Sequence, residues 1–194
     1  MRPRRLCRGF STVETLISLA VILILGAIVA PITVRTLRLY QLDDKSTQLA
    51  GMIKLTRFEA IRKNTKVDCV FQVSGANWTV STALANGTPG AQQTQLVLGG
   101  YANLLPAGAP VPDTTPIAGT LGGGGALNAV SGAAGLIRFD ARGAVDFQGA
   151  PLSVQVFYLG SADTSAGYRA VLVLPSGATQ IWRSSAAGDW RRTS

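Results

Sequence analysis

RGFSTVETLISLAVILILGAIVAPITV, residues 8–34, decides how the rest of the chain is read. From Thr15 to Val34 the run is apolar almost without interruption and carries no charge. As a helix, about 20 residues rise roughly 30 Å, the thickness of a bilayer's hydrocarbon core. Four arginines, Arg2, Arg4, Arg5 and Arg8, precede the run, and no acidic residue comes before Glu14. Such a bias holds the N-terminus in the cytoplasm and sends the following residues across the membrane.

Three readings compete for this segment. A cleaved secretory signal has a shorter apolar stretch, followed by a small-residue cleavage site that is not cleanly present here. A plain signal anchor fits length and charge but leaves Glu14 unexplained, since a carboxylate at the lip of an apolar segment is costly unless paired. The third is a class III signal, cut before the apolar run, which then stays attached. The junction Gly9-Phe10-Ser11-Thr12-Val13-Glu14 favours this reading. It resembles the prepilin motif of type IV pilins: a glycine, an aromatic residue, and a carboxylate five positions into the processed chain. Pro31 falls where helices of that family commonly carry a proline.

That resemblance implies cleavage by a prepilin peptidase between Gly9 and Phe10, N-methylation of Phe10, and an assembly role for Glu14. The chemistry is direct. Cleavage exposes an ammonium on Phe10, and Glu14 of one subunit can pair with the ammonium of a neighbour where the dielectric is low. The alternative for Glu14 is snorkelling to the headgroup layer. The expected partners are other pilins or pseudopilins, the prepilin peptidase and the inner membrane, with the globular part in the periplasm.

Helical character continues to about Lys63. Leu42, Leu49, Ile53 and Ala60 share one face, with Leu55 and Phe58 on the other side. The two stripes suggest one face against the chain's own sheet and another against neighbouring subunits; deeper burial within one domain explains them equally. Pro31 should kink the helix. The segment 55–64, LTRFEAIRKN, is similar to a stretch of the GspH/FimT family of pseudopilins and minor pilins. Its cations Arg57, Arg62 and Lys63 also suit a helix C-terminus without any further role.

Beyond residue 64, Val67, Cys69, Phe71 and Val73 alternate with polar residues as in a half-buried strand. A turn at 74–77 leads to a second strand through Trp78 and Val80. Residues 85–134 are rich in Gly, Ala, Pro and Thr and read as a variable surface loop around a short apolar island, Gln95–Leu98. Its four glycines, 122–125, are followed by no Lys-Ser/Thr pair, so a phosphate loop is rejected. Strands are expected at 136–140, 144–147, 152–159, 168–174 and 178–183, with a tight turn at Pro175-Ser176-Gly177. The expected fold is α+β: six to eight strands in an antiparallel sheet packed on the C-terminal half of a long helix whose N-terminal half is transmembrane. The domains are a leader (1–9), an assembly helix (10–34), its amphipathic continuation (35–64) and a globular part (65–194).

No histidine is present, which removes His-based triads and His-ligated metals. Cys69 lacks an intrachain partner once the leader bearing Cys7 is gone, and it points inward as a small hydrophobe. Asp43 and Asp44 are the only adjacent acidic residues and read as solvated. No cofactor, metal site or catalytic constellation is expected. The net charge is +8; without the leader arginines, fourteen basic against ten acidic side chains leave +4, too modest to imply nucleic acid. Trp182, Arg183, Trp190, Arg191 and Arg192 form a C-terminal aromatic and basic cluster that could stack on bases and neutralise phosphates; a sheet-edge tryptophan followed by a polar tail accounts for it more simply. Some GspH/FimT proteins bind DNA through a C-terminal Gly-Arg-x-Arg motif, but the matching turn here, Gly177-Ala178-Thr179-Gln180, lacks both arginines. The expected function is therefore structural: a minor pilin or pseudopilin that helps initiate or cap a type IV pilus or type II secretion pseudopilus. DNA capture during natural transformation is the alternative.

Overall fold

The computed structural model describes residues 11–74, 77–85, 95–105, 109–121, 126–130, 134–161 and 164–193. They fall into two units divided between Leu37 and Arg38. Helix α1 spans Thr12–Lys63 and continues through Pro31. In the first unit every described residue is exposed. Among them are Leu16, Ile17, Ile22, Leu23, Ile24 and Ile32, each more than 60% open. An apolar stretch bare on all sides is what a helix surrounded by lipid or by other apolar helices requires.

In the second unit α1 is the spine of the core. Leu42, Leu49, Ile53 and Ala60 are each fully buried, as the spacing predicts, while Leu55, Phe58 and Ile61 are exposed. Two sheets share the buried stripe. The first has four strands in the order β3-β2-β1-β6, where β1 is Val67–Ser74, β2 Asn77–Leu84, β3 Gln95–Leu98 and β6 Ala134–Phe139. All its pairings are antiparallel. Cys69, Phe71, Ile137 and Phe139 point from it into the helix-facing core. On the outer face Asp68 and Arg138, opposed in register, form a two-pronged ion pair at 2.7 and 2.8 Å.

The second sheet runs β10-β9-β8-β7-β4, with β4 Asn103–Leu104, β7 Val154–Gly160, β8 Tyr168–Val173, β9 Thr179–Ser184 and β10 Arg191–Arg192. A further strand, β5 (Leu127–Ala129), pairs with β7 in parallel, whereas the other described strand pairings are antiparallel. The sheets meet where the rings of Phe71 and Phe157 pack, tilted by 41°, with centroids 4.7 Å apart. One face of the second sheet, through Phe157, Leu159, Val171 and Val173, lies on the α1 core. Its other face, through Val154, Val156, Ala170, Leu172 and Trp182, belongs to a second core.

That second core corrects the reading of residues 85–134 as a surface loop. The described parts of this segment hold β3, β4, β5 and the short helix α2 (Thr115–Thr120). Ile117 of α2 is fully buried, with Leu105, Leu121 and Leu127 packed nearby. Sheet strands buried on both faces need cover on both sides. Here the cover comes from isolated apolar residues in a Gly- and Pro-rich stretch that shows no periodicity. Residues 122–125 lie outside the described set.

Two further expectations change. The strand expected at 144–147 reduces to a single bridge, Phe139 to Val145. Asp140 Oδ1 accepts the backbone N–H groups of Arg142 and Ala144, and Asp146 Oδ1 accepts that of Gln148, so side chains hold consecutive turns where a ladder would run. Asp43 is not simply solvated: its Oδ1 accepts a charged hydrogen bond from Arg169 Nε, whose side chain is 4% exposed.

The turn at Pro175–Gly177 forms as expected, with Gly177 N–H donating to Leu174 O at 2.8 Å. Gly177 has φ +77°, and a Cβ there would lie 1.9 Å from Gly143 O. The same carbonyl accepts a 3.0 Å hydrogen bond from Arg57 Nε, tying the Gly143 turn, against which Gly177 lies, to the helix. Leu49→Ala should cost about 3 kcal/mol through the cavity it leaves. Gly177→Ala should cost on the order of 2 kcal/mol through backbone strain and the displaced carbonyl. Thermal unfolding of the full chain in detergent measures both; a Gly177→Ala midpoint equal to wild type would refute the close approach.

Candidate functional site

Of the residues expected to act at the N-terminus, Gly9 and Phe10 lie outside the described set. Glu14 stands in the first turn of α1, exposed among Val13, Leu16 and Ile17. Its carboxylate is the only charge between Ser11 and Val34, so it marks one level of an otherwise featureless apolar rod. Ser18 donates to the Glu14 backbone carbonyl at 2.8 Å, which absorbs a polar hydroxyl without using the carboxylate.

The C-terminal cluster divides. Trp182 and Trp190 are 4% and 6% exposed and belong to the second core, where Trp190 meets Tyr158 with ring centroids 6.1 Å apart. Their ring faces are therefore taken up by packing. Trp182 Nε1 donates to Gln180 Oε1 at 3.1 Å. Arg183, Arg191 and Arg192 are exposed. Strand register sets Arg191 opposite Arg183, and Arg192 opposite Trp182. Arg183 and Arg191 thus share the helix-facing side, and Arg192 projects on the other.

Beside Arg183 lies a groove of about 380 Å³ between α1 and β9, lined by Ser46, Ala50, Gly51 and Lys54 of the helix and by Ile181. A wider, open depression of about 730 Å³ surrounds the turns at Asp140 and Asp146. Its carboxylates are already engaged: Asp146 accepts Lys66 Nζ at 2.7 Å, which holds its carboxyl below the ordinary aspartate range. No group of three or more potential metal-ligating side chains occurs among the described residues.

Cys69 is fully buried in the α1 core. Desolvation pushes its thiol up to about 12, against a smaller opposing effect of a hydrogen bond with Thr56. A thiol this reluctant to ionise is a packing residue.

A long helix with a bare apolar N-terminal half and a C-terminal half seated on antiparallel sheets defines a pilin-like subunit. The family described as Type II transport protein GspH matches residues 45–177, more than half the chain, and the chain belongs to that family. Two crystal structures of the type IV minor pilin FimU from Pseudomonas aeruginosa strain PAO1 are similar. One, in space group P21, is 14% identical with a TM-score of 0.49, covering 79% of this chain and 93% of FimU. The other, in space group P65, is 15% identical with a TM-score of 0.47, covering 78% and 97%. No curated protein matches the chain significantly. Pilins and pseudopilins are structural subunits rather than enzymes, and the family carries assembly with other pilin subunits into a filament.

Sequence reasoning missed Arg169 and Asp43, which lie 126 positions apart and meet only once β8 is placed beside α1. The inward direction of Cys69 was legible from alternation. In a Cys7→Ser background the folded chain should resist maleimide at pH 8 and react once unfolded. An ordinary thiol ionises near ~8.5. The raised folded value therefore contributes stability that is complete below that pH and is lost as pH climbs toward about 12. Denaturant titrations should show Cys69→Ala losing less stability than wild type over that window; equal slopes would contradict the assignment.

Proposed function

We propose that this chain is a minor pilin or pseudopilin made as a precursor, cut between Gly9 and Phe10 by a prepilin peptidase, and N-methylated on Phe10. It is held by one pass through the inner membrane with its globular part, residues 65–194, in the periplasm, and it helps initiate or cap a type II secretion pseudopilus or type IV pilus. The observation that carries this reading is the lone carboxylate of Glu14 on a helix whose residues from Ser11 to Leu37 are all exposed. Such a helix is stable only where apolar neighbours surround it. Within them an unpaired carboxylate is costly and a neighbour's terminal ammonium relieves the cost. GspH family membership supports the subunit role.

The alternative is DNA capture. The exposed arginines Arg183, Arg191 and Arg192 favour an anionic ligand. Against it, Trp182 and Trp190 offer no open ring face for stacking, and the turn 177–180 lacks the arginines of DNA-binding relatives.

Mass spectrometry of the subunit recovered from its native membrane should give an N-terminus at methylated Phe10; a mature chain retaining Gly9 would overturn the processing step. Glu14→Gln should leave membrane insertion intact and lower filament incorporation about tenfold or more. Unchanged incorporation would refute the pairing role. In a salt-titrated binding assay, Arg183→Ala, Arg191→Ala and Arg192→Ala together should change DNA affinity little; a steep, salt-dependent loss would favour the DNA reading instead.

A further inference from the structure

Three arginines stand in one row across the second sheet. Register opposes Arg169 to Arg183 and Arg183 to Arg191. Directly opposed residues on antiparallel strands project from the same face, and neighbouring strands are about 4.8 Å apart. Three guanidinium stems therefore leave one side of the sheet within about 10 Å of one another. Among the described residues a single carboxylate meets the row: Asp43 of α1, bound to Arg169 at its buried end. Arg183 and Arg191 are exposed, and neither joins an ion pair among the described residues.

Like charges opposed across a sheet repel. In a chain with only 14% charged residues, three consecutive strands nonetheless place arginine at the same level. The groove beside the row has small or apolar walls at Ser46, Ala50, Gly51 and Ile181, and cations at Lys54 and Arg183. At about 380 Å³ it takes a few side chains of an extended segment, not a duplex. The nearby tryptophans are buried, which removes base stacking as a source of affinity.

We propose that Arg183 and Arg191, with Lys54 across the groove, dock a carboxylate-bearing segment of a partner protein subunit. The proposal deepens the filament-subunit reading and rests on it for the kind of partner. Arginine supplies paired N–H donors that match a carboxylate, and the apolar walls receive the flanking aliphatic atoms. Arg192, on the opposite face, takes no part.

The test uses the full chain in detergent and a fluorescent hexaglutamate peptide as the probe. Binding should weaken with salt. It should fall at least about tenfold in the double variant Arg183→Gln, Arg191→Gln, and stay unchanged in Arg192→Gln. Hexaglutamine should not bind. Absence of hexaglutamate binding would overturn the proposal, as would an equal loss in Arg192→Gln. Tighter binding of an oligothymidylate of matched charge would overturn it in favour of nucleic acid. A second measurement needs no ligand: at low salt Arg183→Gln should raise the unfolding midpoint, because it removes repulsion within the row, and added salt should close the gap. A lowered midpoint would mean the row is internally balanced and would sink the idea. Neither measurement depends on the N-terminus, so filament incorporation of Glu14→Gln tests the underlying subunit reading separately.

Discussion

One face of α1 between Leu42 and Ala60 has to satisfy two sheets at once. Leu42, Leu49, Ile53 and Ala60 are buried without remainder in a core that also takes Cys69 and Phe71 from the first sheet and Phe157, Leu159 and Val171 from the second. Each sheet turns one apolar face toward the helix, and an apolar face must be buried against another layer. The shared helix is that layer for both. The contact of Phe71 with Phe157 closes the seam between them. Between the helix and the first sheet, the buried hydroxyls of Thr56 and Thr82 satisfy each other at 3.1 Å.

The same helix has opposite requirements at its N-terminal half. Residues 11–37 bury nothing in the chain itself. A row of exposed Leu, Ile and Val of that length would aggregate in water. Its surroundings must be apolar, and the lone Glu14 becomes informative because of that. On a watery surface a carboxylate says little; on an apolar rod it demands a partner or an escape to the headgroups. Function at this end thus follows from solvent rather than from any cavity or catalytic geometry.

Much of this was legible from residue order alone. The apolar run, the stripe through Leu49 and Ile53, the inward Cys69 and the Gly177 turn each rest on local periodicity or turn chemistry, which sequence displays directly. The failures share a cause as well. The second core is made from Leu105, Ile117, Leu121 and Leu127, single apolar residues spread through a Gly-rich stretch, and their burial depends on a sheet formed later in the chain. Continuous apolar runs in β7 and β8 were the available hint, because strands buried on both faces lose their alternation. The depth of Trp182 and Trp190 was hidden for the same reason: the layer that buries them comes from that stretch. Asp43 and Arg169 needed tertiary pairing that no spacing reveals.

Arg169 links these observations. A buried guanidinium adds little stability over a well-packed apolar side chain, and breaking its pair is expensive. What the Asp43 pair does supply is position, because it ties α1 to β8 at one point with a directional bond, reinforced by Arg169 donating to Tyr168 O at 3.0 Å. Apolar packing along the Leu42–Ala60 stripe resists separation of helix and sheet but tolerates small sliding. A fixed ion pair at one end removes that freedom. Next to that tie, Lys54 of α1 and Arg183 of β9 line the same groove beside Ile181. The costly buried charge and the uncompensated arginines next to it are then parts of one arrangement: the first holds the wall in place, and the others leave it chemically unfinished on the outside.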